Sequence, residues 1–436
     1  MPEIQSEIEY SGEFREAFEL MENTSENAFI TGRAGTGKST FLKYFMGHTK
    51  KKSVVLAPTG VAAINVGGQT IHSFFKIPPR VTADEARKEG LQRKKRNGLY
   101  RATELIIIDE ISMVRADLLD CIDIFLRAGL GSEKPFAGKQ LAFIGDLYQL
   151  PPIVMGEEKE AFGQQYDSEY FFSAKAMQKT GFRRIEFTKI YRQKDQEFIG
   201  ILNRIRDKTA TKEDIEKING RFCEKITDDR GSIYVVMTNA MADEINMKKL
   251  GEIIGVQYNI RGAIDGDFRK SAMPADEILH LKKGSQVMFL VNDPQKRWVN
   301  GSLGEVTGIT NEEVLVKLLD SGEVKVAPHT WEIFRYRYNS KDATIEKEPL
   351  GAFTQYPIRL AWAITVHKSQ GKTFSSIIID IGQGTFATGQ LYVAFSRATS
   401  LEGIRLRTRI HGHHILIDKK IGEYLAEGGP ESEKQA

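Results

Sequence analysis

Cysteine is nearly absent from this chain: 436 residues hold two, Cys121 and Cys223. Neither stands in a metal-type spacing, which argues against a disulfide scaffold and for reduced thiols in a reducing compartment. Long apolar runs are missing too, so no segment reads as a membrane span. The opening Met1-Pro2-Glu3-Ile4-Gln5-Ser6-Glu7 is polar and acidic, unlike a signal or transit peptide. Charge of one sign is scarce: 61 Lys and Arg face 58 Asp and Glu, a net of +3. A polyanion track would therefore have to come from local placement, not from a basic protein overall. No internal repeat is visible. What remains is a globular chain, 41% hydrophobic, long enough for roughly two to four domains.

The strongest positive signal is Gly32-Arg33-Ala34-Gly35-Thr36-Gly37-Lys38-Ser39. It matches G-x-x-x-x-G-K-S in full, after the apolar Ala28-Phe29-Ile30 and before a helical stretch over 39–46. Its glycines let backbone N–H groups turn inward on phosphate oxygens, with Lys38 reaching the outer phosphates and Ser39 ligating magnesium. Glu104-Leu105-Ile106-Ile107-Ile108-Asp109-Glu110 reads as a strand buried on both faces, with two carboxylates at its C-terminal edge. Asp109 is the magnesium-side acid and Glu110 the candidate that orients an attacking water. A third strand, over 140–144, ends in Gly145-Asp146-Leu147-Tyr148-Gln149-Leu150-Pro151-Pro152, where Gln149 is placed to touch the terminal phosphate or the water. Far downstream, Ile190-Tyr191-Arg192-Gln193 and Tyr392-Val393-Ala394-Phe395-Ser396-Arg397 each offer a planar, permanently charged guanidinium for the far side of the same nucleotide.

Taken in order, 32–39, Asp109-Glu110-Ile111-Ser112-Met113, 145–152, Val366-His367-Lys368-Ser369-Gln370-Gly371 and 392–397 resemble the motifs of superfamily 1 helicases. Ala57-Pro58-Thr59-Gly60-Val61-Ala62-Ala63, Thr70-Ile71-His72-Ser73-Phe74-Phe75 and the segment 118–143 narrow the resemblance to the Pif family, in the RecD-like B branch. It covers about 11–425. The resemblance implies ATP and Mg2+ as cofactors and 5′-to-3′ translocation on single-stranded DNA. It also implies unwinding of forked or tailed duplexes and of G-quadruplex DNA, by a monomer with no membrane association. Roles in replication, repair, recombination and telomere maintenance go with it, in the cytoplasm of bacterial members and the nucleus or mitochondria of eukaryotic ones. On that basis the nucleotide site comprises Gly35, Thr36, Gly37, Lys38, Ser39, Thr40, Gln149, Arg192, Gly371 and Arg397. The catalytic set is Lys38, Glu110, Gln149, Arg192 and Arg397. One departure stands out: Phe14 occupies the place where such helicases carry an adenine-reading glutamine. Phe14, Ala17, Phe18 and Met21 also form one helical face, which suits core packing; Gln5 lies nearby in sequence. Two other readings stay open: an RNA helicase of the same superfamily, and an ATP-switched single-strand clamp without sustained turnover.

The periodicity predicts α/β architecture: two RecA-like P-loop NTPase domains with parallel sheets. The first covers 1–180, with a small wedge or hairpin near 64–76 suggested by Gly67-Gly68. Short β-type runs punctuated by Gly, Asn and Asp predict an SH3-like β-barrel over 255–354. It is inserted in a second RecA-like domain made of 181–254 and 355–426. A polar tail, 427–436, reads as disordered.

For DNA, residues after matching strands of the two sheets suit paired backbone contacts: Pro58, Thr59 and Gly60 in the first, Thr238 and Asn239 in the second. The resemblance adds His72, Ser73, Phe75, Asn300, His367, Lys368 and Ser369. Phe75 is read either as a wedge or as a core aromatic. Arg93-Lys94-Lys95-Arg96 is either a phosphate contact or a solvated loop, and His411-Gly412-His413-His414 lacks the spacing of a metal site.

Overall fold

The computed structural model of the chain describes residues 11–94, 97–154, 156–193, 195–310, 313–319 and 321–426. Gln5 and the tail 427–436 lie outside them.

Six parallel strands form the first sheet: β1 (Ala28–Gly32), β2 (Ser53–Ala57), β3 (Gln69–Thr70), β4 (Leu105–Ile108), β5 (Gln140–Ile144) and β6 (Arg183–Phe187), in the order β3-β2-β4-β5-β1-β6. β1, β2, β4 and β5 are buried along their whole length. Their residues alternate between two cores, as the pleat requires. Phe29, Leu56, Ile106, Ile108 and Phe143 face the helix Ala116–Leu130 on one side. Ile30, Val55, Ile107 and Ile144 face the helices Gly12–Asn23 and Lys38–His48 on the other. Phosphate loop, Asp109-Glu110 and Gly145-Asp146 follow β1, β4 and β5, three adjacent inner strands. They therefore converge at one sheet edge, where open α/β sheets hold ligands.

The second sheet begins with β7 (Ile233–Val236). The chain then leaves it for β8 (Tyr258–Arg261), β9 (Ala263–Gly266), β10 (Ile278–Leu281), β11 (Gln286–Phe289), β12 (Leu303–Ile309), β13 (Val314–Leu318), β14 (Glu323–Val326), β15 (His329–Asn339), β16 (Thr344–Gln355) and β17 (Ile358–Leu360). It returns with β18 (Ala363–Thr365), β19 (Ile377–Asp380) and β20 (Ile404–Leu406), giving a parallel sheet β18-β7-β19-β20. Two parallel α/β units, with a β-rich insertion in the second, match the expected fold class.

Four boundaries shift. The expected cut at 180 falls before β6, yet β6 pairs with β1 along all five residues and completes the first sheet. Alternating strands and helices look alike on either side of that cut, so pattern alone could not place it. No hairpin projects at 64–76: Gln69–Thr70 pairs in parallel with β2, and Ile71, Phe74 and Phe75 are buried in the first core. The insertion runs past 354, because β17 pairs with β11. Its β11–β14 and β17 form one antiparallel sheet, while β10 pairs with β8, and β15 and β16 form a long ribbon with β9. Finally, the helix Lys419–Ala426 returns to the first unit, where Tyr424 stacks on Phe172 at 4.0 Å and Ile421 is buried.

Candidate active site

A cleft of about 500 Å³ lies between the two α/β units. Its lining includes 34–40 of the phosphate loop, Asp109, Glu110, Gln149, Arg192, Gly371 and Arg397. The structure thus brings together every residue assigned to the nucleotide.

The loop is shaped by glycines under real constraint. Gly35 has φ +82, and a Cβ there would stand 2.6 Å from the Arg192 Cβ. Only glycine accepts both the left-handed backbone and that approach. Lys38 Nζ donates to the carbonyls of Gly32 (2.6 Å) and Arg33 (3.0 Å). Burial holds its ammonium below the usual lysine range, against the pull of Asp146, Glu110 and Asp109. On the same unit, burial pushes the carboxyls of Asp109 and Glu110 well above the usual range, and for Glu110 the neighbouring Asp109 charge adds to the effect. Glu110 also has φ +51, an uncommon and strained backbone for a non-glycine residue.

Arg192 follows β6 on the crossing between the two units, not inside the second as expected. Its neighbour Tyr191 donates its N–H to the Gly35 carbonyl at 2.9 Å. The Arg192 guanidinium donates to the carbonyls of Ser396 (3.1 Å) and Gly371 (3.5 Å). Arg397 is 1% exposed. It donates to the carbonyls of Val393, Ser369 and Lys372 and to the Ser396 hydroxyl, which fixes the turn carrying Gln370 and Gly371. Burial, helped by the Arg192 charge, holds its proton affinity well below the arginine norm.

Three connecting residues received no role from the sequence. Gln370 Nε2 donates to Glu110 Oε2 (3.0 Å) and Gln149 Oε1 (2.9 Å), so one amide of the second unit touches both polar groups of the first. The Tyr392 hydroxyl accepts from the Ala34 N–H at 2.9 Å and donates to Asp146 Oδ2 at 3.3 Å. Arg206 pairs with Asp146 at 3.5 Å and lies 4.1 Å over the Tyr148 ring. Only the motif positions of Gln370 and Tyr392 hinted at this; Arg206 left no signal, because its partner is 60 residues distant in sequence. At Gly389 the units touch closely: a Cβ would sit 2.3 Å from the Gln149 carbonyl oxygen.

Phe14 is buried, edge-on to Phe41 at 4.9 Å and stacked on Phe187 at 6.0 Å. It packs as core while lining the cleft with Ser11, Lys189 and Tyr191.

Among the proposed DNA contacts, Thr59 and Thr238 play one structural part. Each ends a strand and caps the following helix, accepting from the N–H of Ala62 and of Met241. Both are exposed. Asn239 and Lys368 are exposed, and His72 and His367 are half-buried, with burial lowering the proton affinity of each ring. Asn300 is anchored by Lys372, whose Nζ donates to Oδ1 at 2.6 Å. Burial pushes that ammonium down to about 8. Two assignments need correction. Phe75 is fully buried among Phe74, Tyr100 and Phe125, so it is a core aromatic and has no face for a base. The Ser369 side chain is also fully buried and donates to the Val366 carbonyl, so only its neighbours can meet a ligand. Gly60 is pressed by the insertion: a Cβ there would lie 2.7 Å from that of Ala272.

The PIF1-like helicase family model matches residues 10–216, and the UvrD-like helicase C-terminal domain matches 360–401. The chain is 33% identical to the ATP-dependent DNA helicase Pif1 of Bdellovibrio bacteriovorus over 95% of its own length and 91% of the relative's. This chain belongs to the PIF1-like helicases. It spans 58% of the length of the human ATP-dependent DNA helicase PIF1, at 33% identity. The crystal structure of Bacteroides sp Pif1 in complex with ADP-AlF4 superposes with a TM-score of 0.87 at 39% identity, covering 96% of this chain and 98% of that one. Bacteroides Pif1 bound to single-stranded DNA, and two coordinating Pif1 helicases at forked duplex DNA, superpose with a TM-score of 0.66. Those cover 96% of this chain and 98% of theirs, at 39% and 38% identity.

Proposed function

We propose that this PIF1-like helicase couples ATP hydrolysis to 5′-to-3′ movement along single-stranded DNA, and so unwinds forked or tailed duplexes and G-quadruplexes. The observation that carries this reading is the shared cleft. Lys38 and Glu110 on the first unit, Arg397 on the second and Arg192 on the crossing between them all line one cavity. A nucleotide held from both sides changes the spacing of the units as its charge changes.

In this account Lys38 leaves its loop carbonyls for the outer phosphates. Glu110 orients the attacking water, with Gln370, itself held by Gln149, fixing its carboxylate. Arg192 and the one N–H that Arg397 keeps free of its own unit meet the charge that builds on the transferred phosphoryl group. Ser39 and Asp109 fit a magnesium ion. A hydroxyl and a buried carboxylate suit a small hard cation that takes its other ligands from phosphates and water. When bound, the ion would neutralise phosphate charge. Thr59 and Thr238, with Pro58, Gly60 and Asn239, grip the strand backbone at two equivalent points, and His72, Ser73, Asn300, His367 and Lys368 extend the track. Each chain holds a complete cleft, so a monomer is the proposed unit of movement.

Duplexes with a 5′ or a 3′ tail test this, alongside Lys38→Ala. Unwinding of the 5′-tailed substrate alone, lost in the variant, supports the reading. Unwinding of the 3′-tailed substrate alone overturns the polarity, and a preference for RNA tails overturns the substrate.

A further inference from the structure

Of the run Arg93-Lys94-Lys95-Arg96, Lys95 and Arg96 lie outside the described residues, and Arg93 and Lys94 do not line the cleft. Arg93 instead lines a separate groove of about 550 Å³, between the first unit and the β15–β16 ribbon. The ribbon reaches across to the first unit: the Tyr336 hydroxyl accepts from the Val55 N–H at 3.1 Å, and Tyr336 N–H donates to Gln69 Oε1 at 3.2 Å. Lys76 and Arg93 come from one wall; Arg335 and Arg337 come from the other. Glu348 is the one carboxylate in the lining. It serves both Arg335, at 2.9 Å, and Arg337, at 3.9 Å. Glu89 pairs with Arg93 at 2.8 Å. Four cations against these two carboxylates leave two positive charges uncompensated. Among the described residues no carboxylate makes an ion pair with Lys76. Its ammonium is held below the usual lysine range by burial, and next by the charges of Arg93 and Arg335. Like charges crowded into a groove from two walls are costly unless an anion sits between them.

Two neighbours say what kind of anion. Tyr338 lies along the groove, against Gly98, and offers a ring beside the cations, the pairing that suits a phosphodiester strand with its bases. Ser73, a member of the proposed track, lines the same groove. In this arrangement Ala272 of the insertion packs against Gly60, one residue of the proposed track. The groove is open while that contact is made.

Resting on the DNA-track reading above, we propose that the groove between the β15–β16 ribbon and the first unit is a landing site for nucleic-acid phosphates. It takes the strand before the strand enters the track at Gly60. A site that only captures the strand acts on the rate of association. Contacts that hold the strand afterwards act on its release.

Stopped-flow binding of fluorescent oligo-dT to the full chain separates the two. Lys76→Glu with Arg337→Glu should slow association about tenfold or more at low salt and flatten its salt dependence. Lys76→Arg with Arg337→Lys should keep the rate. Thr59→Glu and Thr238→Glu should instead speed release. An association rate and salt dependence unchanged by the Lys76 and Arg337 charge reversals would overturn the landing site and leave the track standing. Unchanged release in the threonine variants would overturn the track. Slowed association that inorganic tripolyphosphate reproduces in the unaltered protein, with no difference between oligo-dT and tripolyphosphate affinity, would make the groove a free-anion site and overturn the strand proposal.

Discussion

The two parallel sheets end their strands differently. At the edge of the first, β1, β4 and β5 deliver a phosphate loop, two carboxylates with raised proton affinity and a buried Asp146-Gln149 pair. At the edge of the second, the matching region delivers one arginine, Arg397, and one glutamine, Gln370, with no phosphate loop of its own among the described residues. Yet both sheets present the same device on the proposed DNA side, a threonine that ends a strand and caps a helix. On the proposed reading the contrast is a division of labour: hydrolysis would be asymmetric, one unit supplying the chemistry and the other the counter-charge, while the two strand-end threonines would grip the DNA alike.

The largest expected effect breaks the asymmetric half. Arg192→Ala should cut ATP turnover by about 10³-fold while nucleotide still binds, because only the far-side charge is lost. Steady-state turnover beside fluorescent-nucleotide titration checks this; near-normal turnover would remove the far-side role.

Gly389 tests how closely the halves must meet. A side chain there collides with the Gln149 carbonyl and is forced to φ +73. Gly389→Val should cost about 1–3 kcal/mol in urea unfolding and lower turnover as well.

The carboxylates sharpen the comparison through pH. Burial first, and then the Asp109 charge, make the Glu110 carboxyl hold its proton at a higher pH than usual. The fraction able to orient water therefore rises with pH and falls on acidification. Turnover should drop by up to about tenfold per pH unit below that raised range. A flat profile across mildly acid pH would contradict the assignment of Glu110.

The smallest effects test the symmetric half. Thr59→Ala and Thr238→Ala each remove one helix cap, worth about 1 kcal/mol, and each should weaken oligo-dT binding by a similar factor. A large effect from one and none from the other would break the symmetry.

Much of the site was legible because it is local. The phosphate loop, Asp109-Glu110 and Gln149 each sit within a few residues of a buried strand, and strand ends converge by the rules of parallel sheets. Arg192 and Arg397 were legible by chemistry, but the attachment of Arg192 was not. β6 could extend either sheet, and only its ladder with β1 decides. Phe75 was read either as a wedge or as core because resemblance pointed to the track, while Ile71, Phe74 and Phe75, at i, i+3 and i+4, form the buried helical face that decides for core. The burying partners, Tyr100 and Phe125, lie 25 and 50 residues away in sequence. The return of Lys419–Ala426 to the first unit and the reach of the β15–β16 ribbon were hidden for the same reason: both depend on long-range packing that leaves no periodic trace.

The joint grip on the nucleotide is tested most directly by a distance between the units. Fluorophores at exposed Lys43 on the first unit and exposed Lys212 on the second, each replaced by cysteine in a chain freed of Cys121 and Cys223, would report it by energy transfer. The account predicts a shorter distance with a non-hydrolysable ATP analogue and magnesium, relaxation with ADP, and loss of the response in Arg192→Ala. One distance in every nucleotide state, while ATP turnover proceeds normally, would contradict it.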